Sequence, residues 1–363
     1  MFELNEYVKI IGVGSGGIDI VNGIIEQNLQ YVTYYAMDTD SQALLKSRAQ
    51  NLIQIGERLM HGQGTNGKLE DGLKAADESQ EAIKAALNGA NMVFIIAGMG
   101  GGTGTGAAQT VVKCAKELGA LTICLVTTPF GFEGEEYSHR AESGVENLIK
   151  HADSVIVLSN DKLMEFVNEK LLPNQAFRIS GDAVGQLGGH IVKNIISLAS
   201  SPDHLVSILM AAGRTFIGMG TGSGENGAVS AVEEALEVSI IDANLSNARN
   251  VLLRIAGYGT PVSKLELEKA VNAIRVSMNP DVNIVLATVE EESLNNSVRV
   301  TVIATDFDKV AKGQLVENGI SYKQNIYKQV IETCLKRIKN SATGDADCAV
   351  LIKEMRMVLK EMS

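Results

Sequence analysis

The amino-acid sequence encodes an α/β protein: a parallel-sheet domain, a long central helix, a second and smaller α/β domain, and a helical C-terminal extension. Three features carry this expectation. Short apolar runs rich in β-branched residues alternate with helical patterns from residue 7 onward, the rhythm of a parallel sheet covered by helices. Two of the runs pass into glycine-rich loops that open helices. Aromatic residues make up only 4% of the chain and Trp is absent, so the cores must be built from Val, Ile, Leu, Ala and Met, the palette of buried parallel strands.

The first domain, residues 1–174, reads as strands at Tyr7–Val13, Tyr31–Met37, Met92–Ala97, Leu121–Thr127 and Ser154–Leu158. Helical patterns lie between them near Gly17–Gln27, Glu78–Leu87, Thr105–Leu118 and Ala141–His151. Residues 175–200 form the central helix, apolar nearly all round through Phe177, Ile179, Val184, Leu187, Ile191, Ile195 and Leu198, which fits burial between two domains. Its small residues Ser180, Gly181, Gly185, Gly188 and Gly189 cost helix propensity and fit close packing or close approach to a ligand. Residues 201–306 mix helices (Ala228–Ser239, Lys264–Val276) with strands (Val251–Ala256, Asn283–Thr288, Ser297–Ala304). The last two strands are joined by a polar connection beginning at Glu290 and are expected to pair as a hairpin. Residues 307–363 carry Ile326, Val330, Cys334 and Ile338, then Leu351, Met355, Val358 and Met362, at helical spacing with a Gly344 break between them. These two helices either pack on the body or bind a partner.

At 363 residues the chain has room for about two domains with sizeable cores. The net charge of −11 argues against a non-specific nucleic-acid binder. Cys114, Cys124, Cys334 and Cys348 show no CxxC spacing and the five histidines are scattered, so neither a disulfide framework nor a zinc site is expected. The opening MFELNEYVKI lacks the pattern of a secretory signal, and no apolar run approaches the roughly 18 residues of a membrane span. A cytoplasmic protein without protein-borne metal ligands is the expectation.

The glycine loops hold the chemistry. Gly12-Val13-Gly14-Ser15-Gly16-Gly17 follows the first strand and satisfies G-x-G-x-x-G through Gly12, Gly14 and Gly17. Such glycines let backbone approach a phosphate. Asp38 and Asp40 close the second strand, near where dinucleotide folds place a ribose-binding acid. Taken alone, this loop fits an NAD-dependent oxidoreductase. The nine residues from Gly98 contain six Gly and two Thr, framed by a buried strand and an amphipathic helix. Free N–H groups at that helix terminus favour an anion, and Thr103 and Thr105 add hydroxyl donors or caps. Two phosphate loops on neighbouring strands suit one nucleotide's polyphosphate, and a dinucleotide site has no standing need for the second. Gly62–Leu69 imitates a P-loop but puts Leu69 where a magnesium-binding hydroxyl belongs. Thr65 and Asn66 still come within reach of a terminal phosphate.

At residues 100–106, Gly-Gly-Gly-Thr-Gly-Thr-Gly, the sequence resembles the tubulin/FtsZ superfamily, and FtsZ in particular. The resemblance continues through residues 8–14, 38–40, 75–78, 90–94, 127–134 and 159–163, and more loosely to about 305. It implies a GTP-binding protein whose filaments sandwich GTP or GDP between subunits, with Mg²⁺ accompanying the triphosphate. It implies that Gly14, Ser15, Gly16 and Gly17 hold phosphates together with Gly100, Gly101, Gly102, Thr103, Gly104, Thr105 and Gly106. Glu133 would reach the ribose, Phe177 would pack on the base or serve as plain core, and Asp182 would accept from guanine or cap the central helix.

Three departures from the family pattern bear on function. Asp19 stands where the family usually has Asn, and an ionised carboxylate only accepts where an amide also donates. Beside Asp182 it would lower base affinity or retain a proton. Tyr137 aligns with a family Arg, with Arg140 one turn later as a substitute. The loop after the central helix, residues 199–208, keeps one acid, Asp203, with His204 beside it. The family's loop has an Asn-x-Asp-x-x-Asp pattern that acts in the next subunit's site. Losing general-base help costs on the order of 10²–10⁴ in rate, so weak or absent hydrolysis is expected. The expectation is therefore a head-to-tail filament of the division-protein type. The rival is a non-hydrolysing scaffold or a capper of FtsZ, with FtsZ or another partner at the C-terminal helices. The distant rival is the NAD-binding oxidoreductase.

Overall fold

The computed structural model describes residues 8–164, 173–197, 208–224, 226–237, 241, 245–257, 263–278, 280–291, 294, 297–305 and 307; in the helix beginning at Pro173, side chains are described for 181–196. In the first half, β1 (Val8–Val13), β2 (Val32–Asp38), β3 (Asn51–Gln54), β4 (Met92–Gly98), β5 (Leu121–Thr128) and β6 (Ser154–Ser159) pair in parallel in the order β3-β2-β1-β4-β5-β6. The helices are α1 (Gly14–Ile25), α2 (Ser41–Leu44), α3 (Glu57–Met60), α4 (Leu69–Glu78), α5 (Gln80–Leu87), α6 (Gly102–Glu117), α7 (Glu135–His151) and α8 (Asn160–Met164). Strand β4 is buried along nearly its whole length, as a strand covered on both faces should be. One core, with Ile11, Val93, Ile95, Val111 and Val126, lies between the sheet and α4–α7. The other, with Ile10, Phe94, Ile123 and Val192, lies on the opposite face, against α1 and the central helix α9 (Pro173–Ser197). Helices α1 and α9 cross at Gly23 and Gly185, where a Cβ on Gly185 would stand 2.7 Å from the Gly23 Cα. Gly185, Gly188 and Gly189 of the central helix thus serve close packing.

The second half adds β7 (Gly213–Ser223), α10 (Gly227–Glu237), β8 (Asn250–Gly257), α11 (Lys264–Ser277), β9 (Asn283–Glu290) and β10 (Ser297–Thr305). Its strand order is β7-β10-β8-β9. The expected hairpin does not form: β10 lies antiparallel between β7 and β8, and β9 lies parallel on the outer side of β8. Burial explains the order. Strand β8 is buried at six consecutive positions and suits the interior, whereas β9 is largely exposed and suits an edge. The two halves join where β6 and β7 share two residue pairs, Ser154 with Gly213 and Val155 with Arg214. No described helix is long and apolar enough to cross a membrane. The two C-terminal helices expected within 307–363 lie outside the described residues, apart from Phe307.

Candidate nucleotide-binding site

Both glycine loops leave the sheet at the carboxyl ends of neighbouring strands. Strands β1 and β4 are in register with Val13 opposite Ala97, so the turns into α1 and α6 lie side by side. That end of an open α/β sheet is where ligands bind. The loops also touch. Gly14 has a φ of +73°, and a Cβ there would sit 2.8 Å from the Gly104 amide nitrogen. A Cβ on Gly17 would collide with the Ile96 carbonyl, and one on Gly102 with the Thr65 hydroxyl. Helix α4 lies against α6 through Gly72, whose Cβ would strike the Gly102 carbonyl. Many glycines of the signature are therefore consumed by packing. Gly101 is different: nothing lies within 4 Å of the place its Cβ would take.

Helices α1 and α6 both begin inside their loops, at Gly14 and Gly102. Their N-cap residues, Val13 and Gly101, are extended and offer no side-chain cap to the first turn. Two uncapped helix termini, of 12 and 16 residues, open side by side. Their unused N–H groups and dipoles form a ready anion site. Ser15 and Gly16 are exposed there.

The hydroxyls stand behind this surface. Ser15 Oγ donates to the Asp38 carboxylate at 3.0 Å, and the Asp40 N–H reaches the same group at 3.1 Å. Burial pushes the Asp38 carboxyl above its usual range, with Asp40 N–H, Ser15 and Thr39 pulling it back. The sequence suggested a ribose acid at this position. In the structure Asp38 is buried and holds the first loop, while Asp40 caps α2 through the Gln42 N–H. The hydroxyls of Thr39 and Thr103 are 2.7 Å apart, and that of Thr65 is 3.5 Å from Thr103. The false P-loop thus contributes Thr65 to the back of the second loop. Thr105 is fully buried; its Oγ accepts the Gly100 N–H at 2.8 Å, and a Cβ at the neighbouring Gly144 would strike its methyl. It clasps the loop shut.

Helix α7 borders the loop. A Cβ at Gly100 would lie 2.9 Å from the Tyr137 carbonyl. The Arg140 guanidinium stacks 5.2 Å from the Tyr137 ring centroid, donates to the Gly67 carbonyl at 2.8 Å and pairs with Glu136. Arg140 therefore ties α7 to the loop before α4, in the region where the sequence suggested a substitute cation. Glu133 Oε1 accepts the Phe130 N–H at 2.8 Å. Burial and then the nearby Asp161 push its carboxyl up, against the pull of that N–H.

In the middle of α1, Asp19 faces Gly181 of α9, next to the exposed Asp182. Partial desolvation raises the Asp19 carboxyl; Lys46 pulls it down and Asp182 pushes it up. The side chain of Phe177 lies outside the described residues, as do Asp203 and His204. Sequence reasoning missed the Ser15–Asp38 clasp and the Arg140–Gly67 tie, since both join residues distant in the chain.

Residues 7–168 match the model of the tubulin/FtsZ family GTPase domain, and residues 213–308 match that of the FtsZ family C-terminal domain. An FtsZ dimer from M. jannaschii is 30% identical, with 83% of this chain and 88% of that chain covered and a TM-score of 0.70. CetZ2 from Haloferax volcanii, in a GTPγS-bound protofilament, is 19% identical, with 90% and 99% covered and a TM-score of 0.71. CetZ from Methanosaeta thermophila is 15% identical, with 98% and 99% covered and a TM-score of 0.68. The CetZ likenesses bear on fold.

Proposed function

Because the chain belongs to the tubulin/FtsZ family of GTPases, we propose that it holds GTP or GDP across its two glycine loops. We propose further that it assembles head to tail with the nucleotide at the subunit interface. The observation that carries this reading is the pair of uncapped helix termini opening from adjacent strands β1 and β4. The α1 terminus takes phosphate through Gly14–Gly17 and the α6 terminus through Gly101–Gly106. Glu133 reaches the ribose, and Phe177, Asp19 and Asp182 surround the base. The second loop has no part in dinucleotide binding, and together with the family membership it sets the oxidoreductase reading aside.

The triphosphate brings Mg²⁺ as its companion. No protein side chain is assigned to it, since phosphate oxygens and water hold such a hard cation.

Hydrolysis is weak or lost, because residues 199–208 retain only Asp203 as an acid. That segment also supports the second reading, a nucleotide-glued static scaffold or a capper of FtsZ. Phosphate release from GTP, followed across protein concentration alongside sedimentation, separates them. Pelleting with GTP and turnover that is slow or undetectable is the expected outcome. Turnover at ordinary family rates above a critical concentration defeats the claim about hydrolysis, and no pelleting at any concentration defeats the claim about assembly.

The base end gives a second prediction. A protonated Asp19 can donate to guanine and no longer repels Asp182, so affinity for GDP falls as pH rises through the elevated Asp19 pKa. Asp19→Asn supplies a permanent donor. It is expected to bind GDP about tenfold more tightly at pH 7 and to flatten that pH dependence. Equal affinities and equal pH profiles, measured by calorimetry, would place Asp19 away from the base.

A further inference from the structure

A chain of contacts closes around the start of α6. The Tyr137 carbonyl lies 2.9 Å from the place a Cβ on Gly100 would take, so α7 rests on the second glycine loop. Three residues further along α7, Arg140 stacks on the Tyr137 ring and donates from Nη1 to the Gly67 carbonyl at 2.8 Å. Gly67 and Lys68 in turn lie on Gly102, where a Cβ would stand 2.9 Å from the Gly67 carbonyl carbon and 2.7 Å from the Lys68 oxygen. Building on the proposal that the glycine loops hold the nucleotide, we infer that Arg140 is a positioning residue for the terminal phosphate. It acts through Gly67, and it sets the preference of this chain for GTP over GDP.

The order of contacts along α6 places the phosphates. The α1 loop meets α6 at Gly104, through Gly14, whereas residues 65–68 meet it at Gly102. A triphosphate that starts on the α1 terminus and crosses to the α6 terminus therefore ends beside residues 65–67. The last phosphate is the one this segment meets, and GDP lacks it. The segment's backbone is readily deformed: Asn66 and Gly67 both have positive φ, +49° and +79°. Without a Cβ at Gly67, the Gly67–Lys68 peptide can turn over at small cost. The bond from the Lys68 N–H to the Thr65 carbonyl, 3.0 Å, opposes this only as one neutral turn bond does. Turned over, the peptide would set its oxygen against an anion site. Arg140 prevents that with a charge-assisted bond. Its guanidinium is 24% exposed, lies against the Tyr137 ring and also pairs with Glu136. A planar fork can stack and serve both acceptors at once, which a lysine ammonium cannot.

The test titrates the full chain with GDP and, separately, with GTPγS in the presence of Mg²⁺, using calorimetry. Arg140→Met is expected to weaken GTPγS about tenfold and GDP by less than about threefold. In the GDP-bound protein it should also speed amide exchange at residues 64–68. Arg140→Lys keeps a charged donor without the stack and should lose about threefold for GTPγS. Glu136→Gln removes the exposed partner of Arg140 and should leave both affinities within about twofold of the parent. Equal losses for the two nucleotides, or an unchanged ratio, overturn the inference, since a merely structural arginine does not tell them apart. A loss for GTPγS without faster exchange at 64–68 overturns it as well, because the guanidinium would then meet the phosphate directly. A parent chain that binds neither nucleotide defeats the reading of the glycine loops and this inference with it. A parent that binds both leaves that reading intact, whatever the Arg140 variants do.

Discussion

Gly101→Asp is expected to abolish nucleotide binding while leaving the protein at least as stable as before. The backbone at Gly101 is extended, with φ −77° and ψ 162°, and open space surrounds its Cβ position, so a side chain enters without strain. Asp is among the best N-cap residues, and relative to Gly it should stabilise α6 by a few tenths of a kcal/mol. The same carboxylate takes the N–H groups that a phosphate needs. It also stands about 4 Å from any phosphate left at the terminus, a repulsion of ~4 kcal/mol at the effective dielectric of a protein surface. A loss of affinity of at least ~10²-fold follows. Gly101→Ser caps the helix without the charge and should bind within about tenfold of the parent. Calorimetry with GDP, paired with Tm, checks both variants. An Asp variant that binds within threefold of the parent would mean the phosphates lie elsewhere. Thr105→Arg, within the same glycine motif, is a poorer test. Thr105 is fully buried beside Gly144, so an arginine there would report on folding.

The sequence made most of the first half legible because its strands are continuous apolar runs and its loops are rich in glycine. What it hid has physical causes. Both phosphate-facing helices start three residues before their apolar periodicity does, at Gly14 and Gly102, because glycine contributes no pattern and little helix propensity. Those hidden first turns are the ones whose N–H groups matter. Strand β7 went unread because Gly218, Gly220 and Gly222 occupy one of its faces. A Cβ at any of the three would collide with the backbone of α10, so the strand is bare where the helix lies directly on it. The hairpin expected for β9 and β10 failed because a short polar connection says nothing about which strand lies between them; the burial of β8 decided that. At the site, the glycine motif located the loops correctly. It could not say that Thr103 and Thr105 face inward, because a hydroxyl that ties two loops together and one that reaches a ligand look alike in sequence.

Asp153→Ala is expected to cost about 3–5 kcal/mol, a large share of the ~5–15 kcal/mol that holds a typical domain together. The Asp153 side chain is 1% exposed. One oxygen accepts Lys116 Nζ at 2.7 Å and the other accepts both the N–H and the hydroxyl of Thr122 at 2.9 Å. Its backbone carbonyl accepts the N–H groups of Ala212 and Gly213, the residues that lead into β7. Beside it the hydroxyls of Ser154 and Thr215 meet at 2.6 Å, and β6 and β7 pair there through Ser154–Gly213 and Val155–Arg214. This one acid therefore ties α6, β5 and β6 to the start of the second half, at the narrowest point of the sheet. Removing it strands the buried Thr122 N–H and takes a carboxylate from the partly buried Lys116 ammonium. Asp153→Asn keeps an acceptor and should cost less, since only the charge is lost. Because the damage falls on the joint, unfolding in urea should broaden or split into two steps as the halves uncouple. Amide exchange should speed up first at residues 211–215 and leave the glycine loops protected. A single cooperative transition shifted by less than 1 kcal/mol would show that the joint rests on the β6–β7 backbone pairs and the Ser154–Thr215 contact alone.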